Sequence, residues 1–322
     1  MLTCYLELFV WREFTFHNYW HPELYEGLDL ELDLSDSDII QIERGKLCAK
    51  KSRIVITGLA KDIYSRLKIN LERAVYLGQH FKDYRVVVYE NDSTDGTAEL
   101  LDMMCVVNGI NVERVPCESR GCKLHAPSAI DSGMFSKTRI DKMTHYRNSA
   151  LDYIRRRYNN YDYILVMDLD VQGPLSSAGL FHSLGYEGQW DGISSNGQGV
   201  IPGSFGLVTK TYDSLAWANE SKMKCHTAEQ SLGSIFKDMI RMNWDIHTSK
   251  DDMVPVSSAF NGATIYKMNS LHEGVNYQNI NGCEHLGLSY NMAKNGHGRI
   301  FCNRLWRWYV GLQGPRKLSL FI

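Results

Sequence analysis

Apolar runs and helical periods alternate along the first half of the chain. Residues 53–58 form an apolar run ending in Gly, which predicts a strand, and apolar positions recur at helical spacing from 63 to 77. A second apolar run covers residues 84–90, and the polar turn at 91–97 caps a following helix. A third short strand is predicted at 112–115.

A long helix and one more strand complete this half. Residues 116–137 show no period and predict a loop, whereas residues 139–158 carry apolar positions on one side of a helix. Tyr163–Met167 is almost entirely apolar, which is typical of a buried strand. Alternating strands and helices indicate the α/β class, with a mixed, mainly parallel sheet flanked by helices.

The second half is richer in glycine. Glycines cluster in residues 191–203, residues 258–267 predict a Gly-containing strand, and residues 282–287 precede a helix and a final strand at 299–302. Residues 1–50 show no clear period, and we expect them to form an N-terminal extension packed on the core.

Composition excludes several classes of protein. The 322 residues carry a net charge of −2, which gives no electrostatic reason to bind nucleic acid. No apolar run approaches the roughly 18 residues of a membrane span. The apolar N-terminus lacks a basic segment and a cleavage site, so we expect no signal peptide and a cytoplasmic location. The eight cysteines form no C-x-x-C pair, and we expect reduced thiols.

Asp168 and Asp170 follow the apolar strand Tyr163–Met167 with one residue between them. Because side chains alternate along a strand, both carboxylates point the same way, at the end of the strand where open α/β sheets bind ligands. Two hard oxygen ligands suit Mg²⁺ or Mn²⁺, ions that usually also hold substrate phosphates. Solvated surface charge is the alternative interpretation.

Polar or Gly-containing clusters follow other strand segments. Thr57, Gly58 and Leu59 close the first strand, where Gly allows a ligand near the backbone or serves a plain turn. Arg147 lies in the long helix near the Asp168 strand, where it suits a diphosphate or a surface ion pair.

The turn after the second strand is the most polar of these clusters. Glu90, Asn91 and Asp92 open it, and more side chains in it are polar than capping a helix requires. A carboxylate such as Asp92 can accept a hydrogen bond from a base or a ribose hydroxyl. We expect Asp95 to cap the helix that follows.

Along the chain the motifs run in the order of the strand ending in Gly58, the turn at 90–97, the helix with Arg147 and the Asp168–Asp170 pair. In this order they resemble the motifs of GT-A nucleotide-sugar glycosyltransferases over residues 53–310. The turn at 90–97 is also similar to that of the fungal capsule mannosyltransferase group and some large-virus glycosyltransferases. The resemblance implies a nucleotide-sugar-binding half at 51–180 and an acceptor-binding half at 181–322. The donor would be a UDP- or GDP-linked sugar.

The resemblance also implies roles for individual residues. Asp92 would contact the nucleobase, Arg147 would contact the nucleotide or diphosphate, and Asp168 would contribute to both the donor and the metal site. Asp170 would bind the Mn²⁺ or Mg²⁺ that bridges the donor diphosphate.

The acceptor side departs from the family pattern. The family usually has Glu-Asp before its last helix, with the Asp as base in inverting members, and this chain has Glu284 and His285. Either could deprotonate an acceptor hydroxyl, which favours inversion, and His285 could instead bind the metal. His297 is a further loop histidine, and Asp251 and Asp252 are second-choice bases.

We therefore expect a metal-dependent transfer of sugar from a nucleotide donor to a saccharide acceptor. Trp190, Trp306 and Trp308 are candidates for sugar contact, although core packing explains most aromatic residues. Two alternatives remain: a haloacid-dehalogenase-like phosphatase with Asp168 as nucleophile and residues 250–252 as its later charged motif, or a catalytically inactive sugar-binding domain.

Overall fold

One mixed sheet organises the part of the chain that the structure describes. The computed structural model describes residues 27–116, 137–203, 206–219 and 241–312, apart from positions 243 and 247. Within these residues nine strands form the sheet: β1 (Arg53–Ala60), β2 (Asp83–Glu90), β3 (Val112–Pro116), β4 (Tyr163–Met167), β5 (Gly192–Gly203), β6 (Gly206–Thr211), β7 (Met253–Val256), β8 (Ala263–Lys267) and β9 (Ile300–Leu312).

The strand order is β3-β2-β1-β4-β8-β5-β9-β7, and β6 pairs with β5 outside this path. The pairs β2–β3, β1–β2 and β1–β4 are parallel. In the other half, β8 lies antiparallel between β4 and β5, β7 is antiparallel to β9, and β5 and β9 are parallel. The predicted α/β class with a mixed sheet is confirmed. The four strands from the first half of the chain, β1 to β4, form one continuous parallel block.

Helices cover the sheet. They are α1 (Asp36–Ala49), α2 (Tyr64–Gly78), α3 (Thr97–Asn108), α4 (Lys137–Tyr158), α5 (Ser177–Gly185) and α6 (Glu284–Lys294). None of the described helices is long and apolar enough to span a bilayer. The expected loop at 116–137 lies, apart from its two end residues, outside the described residues.

Helix α1 lies in the region that we expected to be an extension without a period. It begins with a capping box, in which Ser35 and Asp38 each accept a hydrogen bond from the other's backbone N–H. It packs so closely on α5 that a Cβ at Gly45 would lie 1.7 Å from the Phe181 carbonyl oxygen. The described part of the extension is therefore built into the core.

The central strands are buried on both faces. Ile54 and Ile56 of β1 belong to one hydrophobic cluster, whereas Val55 of β1 and Ile164 of β4 belong to the other. Alternate residues of a strand point to opposite faces, so a doubly covered sheet gives the continuous apolar runs seen in the sequence. Polar side chains emerge where these strands end.

Candidate functional site

Asp168 leaves the C-terminal end of β4 with both its backbone and its side chain held. Its N–H donates to the Gly262 carbonyl oxygen at 2.8 Å. The Tyr212 hydroxyl donates to Oδ2 at 3.2 Å, and Arg147 Nη2 lies 3.8 Å from Oδ1. The predicted proximity of Arg147 to this strand end is thus observed, and Tyr212 is a contact that the sequence did not reveal.

Negative charge is crowded around Asp168. The pKa of its carboxyl is raised from the ordinary 3.8 to about 8, and burial is the largest cause. The charges of Asp170 and Asp213 also raise this pKa, whereas Arg147 and the Tyr212 hydrogen bond lower it. Asp170 is exposed, and Asp213 has a left-handed backbone with φ of 56°. The sequence analysis missed Asp213, since it lies at a distance along the chain without a motif of its own.

The cluster of Asp168, Asp170 and Asp213 carboxylates suits a divalent cation, because it supplies negative charge and hard oxygen donors. Such a cation would offset the mutual repulsion that raises the pKa of Asp168. The ligand atoms of Asp168, Asp170 and His285 are, among the described residues, not all within 4.8 Å of one another. The site therefore offers one or two carboxylates, as Mg²⁺ sites that share substrate phosphates do.

Arg147 is buried between the two sides of the site. Its Nε donates to Glu284 Oε1 at 2.9 Å, and its guanidinium lies 5.0 Å from the Phe260 ring centroid and 5.9 Å from that of Tyr277. Burial alone would lower its pKa, but the charges of Glu284 and Asp168 hold the pKa above its ordinary value. Arg147 is therefore a permanent cation that joins Asp168 to Glu284.

Glu284 and His285 form the first turn of α6. The His285 ring is 3% exposed and stacks on Phe260 with centroids 3.8 Å apart. Burial, aided by the charge of Arg147, lowers its pKa well below 6.5, so the ring is neutral at neutral pH. Neither ring nitrogen has a hydrogen-bond partner in the described part of the chain, and Nε2 lies 3.7 Å from Glu284 Oε1.

The turn after β2 has two buried residues and one exposed residue. Glu90 is 4% exposed and accepts a hydrogen bond from the Ser93 N–H at 2.7 Å. Asn91 is 6% exposed, and its side-chain oxygen has no hydrogen-bond partner among the described residues. Asp92 is exposed in a left-handed conformation with φ of 51°. Of the three, Asp92 is the one that a ligand can reach.

Asp95 has a structural role. Its carboxylate accepts hydrogen bonds from the backbone N–H groups of Tyr64 and Thr97 at 3.0 Å each and from the Thr97 hydroxyl at 2.6 Å. It therefore caps the first turns of both α2 and α3, which agrees with the expected capping function.

Thr57, Gly58 and Leu59 lie inside β1, which continues to Ala60 rather than ending at Gly58. With Arg147 they line a cavity of about 20 Å³, which has room for about one water molecule. A Cβ at Gly58 would lie 2.6 Å from the Met167 carbonyl oxygen. The glycine is thus explained by close packing of β1 on the end of β4.

The second-choice bases lie elsewhere. Asp251 and Asp252 precede β7, the edge strand, four strand spacings or roughly 19 Å from β4. Lys250 belongs to the same segment, so the charged motif that a phosphatase would require is not beside Asp168. His297 lies 3.9 Å from Asp191, at the opposite end of the sheet.

The three tryptophans are core residues. Trp190, Trp306 and Trp308 are each 0% exposed. The indole N–H of Trp190 donates to the Ser183 carbonyl oxygen, and that of Trp308 donates to the Gly173 carbonyl oxygen. The suggestion that these tryptophans contact sugar rings was wrong, because their ring faces are buried in the protein core.

A second group of potential metal ligands lies beside the edge strand. Asp38, His182 and Asp252 have ligand atoms within 4.8 Å of one another, and His182 is 1% exposed. His182 Nε2 lies 3.8 Å from Asp38 Oδ1. Whether Nε2 can bind a metal depends on which ring nitrogen carries the proton.

Asn303 fixes that proton. Its amide nitrogen donates to the Gly179 carbonyl oxygen at 3.2 Å and its amide oxygen accepts from the Leu305 N–H at 2.9 Å, which sets the orientation of the amide. The same nitrogen lies 3.1 Å from His182 Nδ1, so Nδ1 is the acceptor. Nε2 then carries the proton on the side of the carboxylates, but its 3.8 Å distance to Asp38 Oδ1 is too long for a hydrogen bond.

A larger cavity of about 540 Å³ lies away from these residues. Its lining includes Arg155, Tyr163, Lys267 and His272. Tyr163 begins β4 and Lys267 ends the antiparallel β8, so this cavity is at the end of the sheet opposite Asp168. It is separated from the candidate site by the length of β4.

Comparisons with known proteins give likenesses of structure. No protein-family profile and no curated protein matches the chain. A mannosyltransferase from Pyrobaculum calidifontis in complex with GDP-Man and Mn²⁺ is 12% identical, with a TM-score of 0.43, over 83% of this chain and 64% of that chain. GalNAc-T7 with UDP, GalNAc and Mn²⁺ is 11% identical, with a TM-score of 0.47, over 83% and 45%.

TarS 1–349 of S. aureus in complex with UDP-GlcNAc is 14% identical, with a TM-score of 0.46, over 83% of this chain and 60% of that chain. The chain thus spans between 45% and 64% of the length of these three structures. At such identities and TM-scores no activity follows from the likeness, and the function is argued from the chain's own residues.

Proposed function

We propose that this chain is a metal-dependent glycosyltransferase that moves a sugar from a nucleotide-diphosphate donor to a saccharide acceptor. The observation that carries the proposal is the contact sequence from Asp168 through Arg147 to Glu284. It connects a carboxylate suited to a divalent cation with an acidic residue at the first turn of α6. This contact sequence supports the proposal because a donor side at Asp168 and an acceptor side at Glu284 would then be neighbours.

On the donor side, Asp92 and Asp168 follow strands that are two spacings apart, or about 10 Å. The exposed carboxylate of Asp92 would accept hydrogen bonds from the nucleobase or ribose. Asp168 and Asp170 would hold Mn²⁺ or Mg²⁺, which supplies Lewis-acid neutralisation of the departing diphosphate. Thr57, Gly58, Leu59, Glu90 and Asn91 would shape the floor between them.

On the acceptor side, Glu284 would be the general base. Its carboxylate is oriented by Arg147, and it is 6% exposed. His285 is a weaker candidate because its pKa is lowered well below 6.5 and Phe260 covers one face of the ring. A carboxylate base that deprotonates the acceptor directly favours inversion at the anomeric carbon.

A thermal-shift screen tests the proposal, since a ligand that binds only the folded state raises the apparent stability. GDP- and UDP-linked sugars are each added with and without Mn²⁺. We expect at least one donor to raise the melting temperature only when Mn²⁺ is present. Stabilisation that is unaffected by Mn²⁺ would reject the metal-dependent mechanism, and donor binding without any turnover would favour an inactive sugar-binding domain.

A further inference from the structure

Tyr212 comes directly after β6 and reaches the carboxylate that we assign to the metal. Its backbone N–H donates to the Gly197 carbonyl oxygen at 2.8 Å, and its hydroxyl donates to Asp168 Oδ2 at 3.2 Å. The residue therefore links β5, through Gly197, to the end of β4.

Two glycines leave the space in which the Tyr212 ring lies. A Cβ at Gly197 would be 2.2 Å from the Asn261 carbonyl oxygen and 3.3 Å from Tyr212 Cβ. Gly262 has a positive φ of 88°, and a Cβ there would be 3.4 Å from the Tyr212 ring and 3.2 Å from the Trp308 ring. The Tyr212 side chain thus lies close to the backbone of Gly197 and Gly262.

Gly262 also accepts the hydrogen bond from the Asp168 N–H. The backbone at Gly262 therefore contacts both Asp168 and Tyr212, the residue whose hydroxyl donates to the Asp168 side chain. Tyr212 donates to Oδ2, and Oδ1, 3.8 Å from Arg147 Nη2, accepts no hydrogen bond from the residues that the structure describes. The rotation of the carboxylate is set by contacts on both sides.

We propose that Tyr212 is a positioning residue that presents Asp168 to the cation through a single oxygen. This inference rests on the proposed function, because it requires a metal at Asp168. Mg²⁺ and Mn²⁺ are hard cations with carboxylate ligands, and Mg²⁺ demands regular geometry at short distances. Ca²⁺ accepts both oxygens of one carboxylate at longer distances. Holding Oδ2 away from the metal thus favours the smaller ions.

The test compares the wild-type chain with Tyr212→Phe, which retains the ring and removes only the donor. The concentration of free Mn²⁺ is measured by its electron paramagnetic resonance signal, with GDP or UDP present and with Ca²⁺ as competitor. Loss of a residue that orients a metal ligand typically weakens affinity about 10–100-fold. We expect a loss of this size for Mn²⁺ and a smaller loss for Ca²⁺.

Tyr161→Phe is the matched control. It also removes a phenol-to-carboxylate hydrogen bond, 2.6 Å to Asp83 Oδ2, but at the other end of the sheet. This control should bind Mn²⁺ like the wild-type chain, and a thermal melt confirms that both variants fold. Equal Mn²⁺ affinity in Tyr212→Phe and wild type would overturn the role of Tyr212 alone. A wild-type chain that binds no Mn²⁺ would overturn the proposed function as well.

Discussion

Arg147 is the residue at which the proposed donor and acceptor sides meet. Its guanidinium is within 4 Å of both Asp168 and Glu284. The sequence indicated each of the three residues separately, but the order of residues contains no signal that Arg147 pairs with Glu284. That pairing depends on α6 returning to α4, a contact across more than a hundred residues.

Replacing Glu284 should destabilise the protein because it leaves the Arg147 charge buried without its nearest partner. We expect Glu284→Ala to lower the free energy of unfolding by about 3–5 kcal/mol, as breaking a buried ion pair does. Glu284→Gln retains an acceptor and should cost less. Urea denaturation measures both, and an Ala variant as stable as the wild-type chain would show that the pair contributes little.

Asp168→Asn should have the opposite effect on the metal-free protein. A raised carboxyl pKa means that the folded state binds a proton more tightly than the unfolded chain between pH 3.8 and about 8, so stability falls as pH rises through this window. The Asn variant has no carboxyl at this position to bind the proton, so its stability should decline less between about pH 5.5 and about pH 8. Denaturation midpoints with EDTA present test this, and identical slopes for the two proteins would contradict it.

Among the elements, the contact between β1 and the end of β4 is the one that supports the site most directly. A Cβ at Gly58 would be 2.6 Å from the Met167 carbonyl oxygen and 2.7 Å from Leu169 Cγ. Gly58→Ala should therefore push Asp168 out of place and cost about 1–3 kcal/mol, as overpacking does. Calorimetry with and without Mn²⁺ measures both effects.

Gly298→Ala is the control for that prediction. Its Cβ would be 3.3 Å from the Ala293 Cβ, a milder contact in a loop at the other end of the sheet. It should leave the Mn²⁺-dependent increase in melting temperature unchanged. The account of Gly58 is contradicted if both variants lose the same Mn²⁺ response.

The starts of β5 and β9 are joined by an ion pair. Asp191 accepts hydrogen bonds from the Arg299 backbone N–H, Nε and Nη2 at 3.1, 3.1 and 2.7 Å. Burial raises the pKa of Asp191, but Arg299 outweighs it and leaves the pKa below 3.8. The stability that the pair contributes is therefore present above pH 3.8 and is lost as pH falls through the lowered pKa.

Asp191→Asn should cost about 1.5–3 kcal/mol at neutral pH, the usual value of hydrogen bonds to a charged group. The difference from wild type should shrink as pH falls through the lowered pKa of Asp191, below pH 3.8, because the Asp191 carboxyl then becomes neutral like the Asn amide. Urea titrations at neutral pH and at a pH below 3.8 measure this difference in stability. Glu43→Gln, which breaks the exposed pair with Lys46, is the control and should have almost no effect. A difference for Asp191→Asn that persists at low pH would refute the ion-pair account.

Element prediction succeeded where periodicity was strong. The first four strands and the three helices between them were predicted from apolar runs and helical spacing, within a few residues of their observed ends. Helix α1 was missed although Ser35 and Asp38 carry a capping-box signature. Strand β5 was missed because its first half lies inside the sheet, where glycine and serine replace the usual alternation.

At the scale of the whole molecule, one sheet contains both proposed halves. The strand order places β8, from the second half of the chain, beside β4. Gly262, Tyr212 and Asp213 thereby reach Asp168 from distant parts of the sequence. These residues could not be predicted because their proximity depends on strand pairing, whereas Asp168 and Asp170 were marked by the apolar strand before them.

The most direct test of the central claim is release of nucleoside diphosphate from GDP- and UDP-linked sugars with Mn²⁺ present. The wild-type chain is compared with Asp170→Ala and with Asp36→Ala, which removes an exposed carboxylate in the first turn of α1. We predict slow, Mn²⁺-dependent release by wild type and Asp36→Ala, and at least a roughly 100-fold loss in Asp170→Ala, as expected when a metal ligand that stabilises the leaving group is removed. Release that survives Asp170→Ala unchanged, or that needs no divalent cation, would contradict the account.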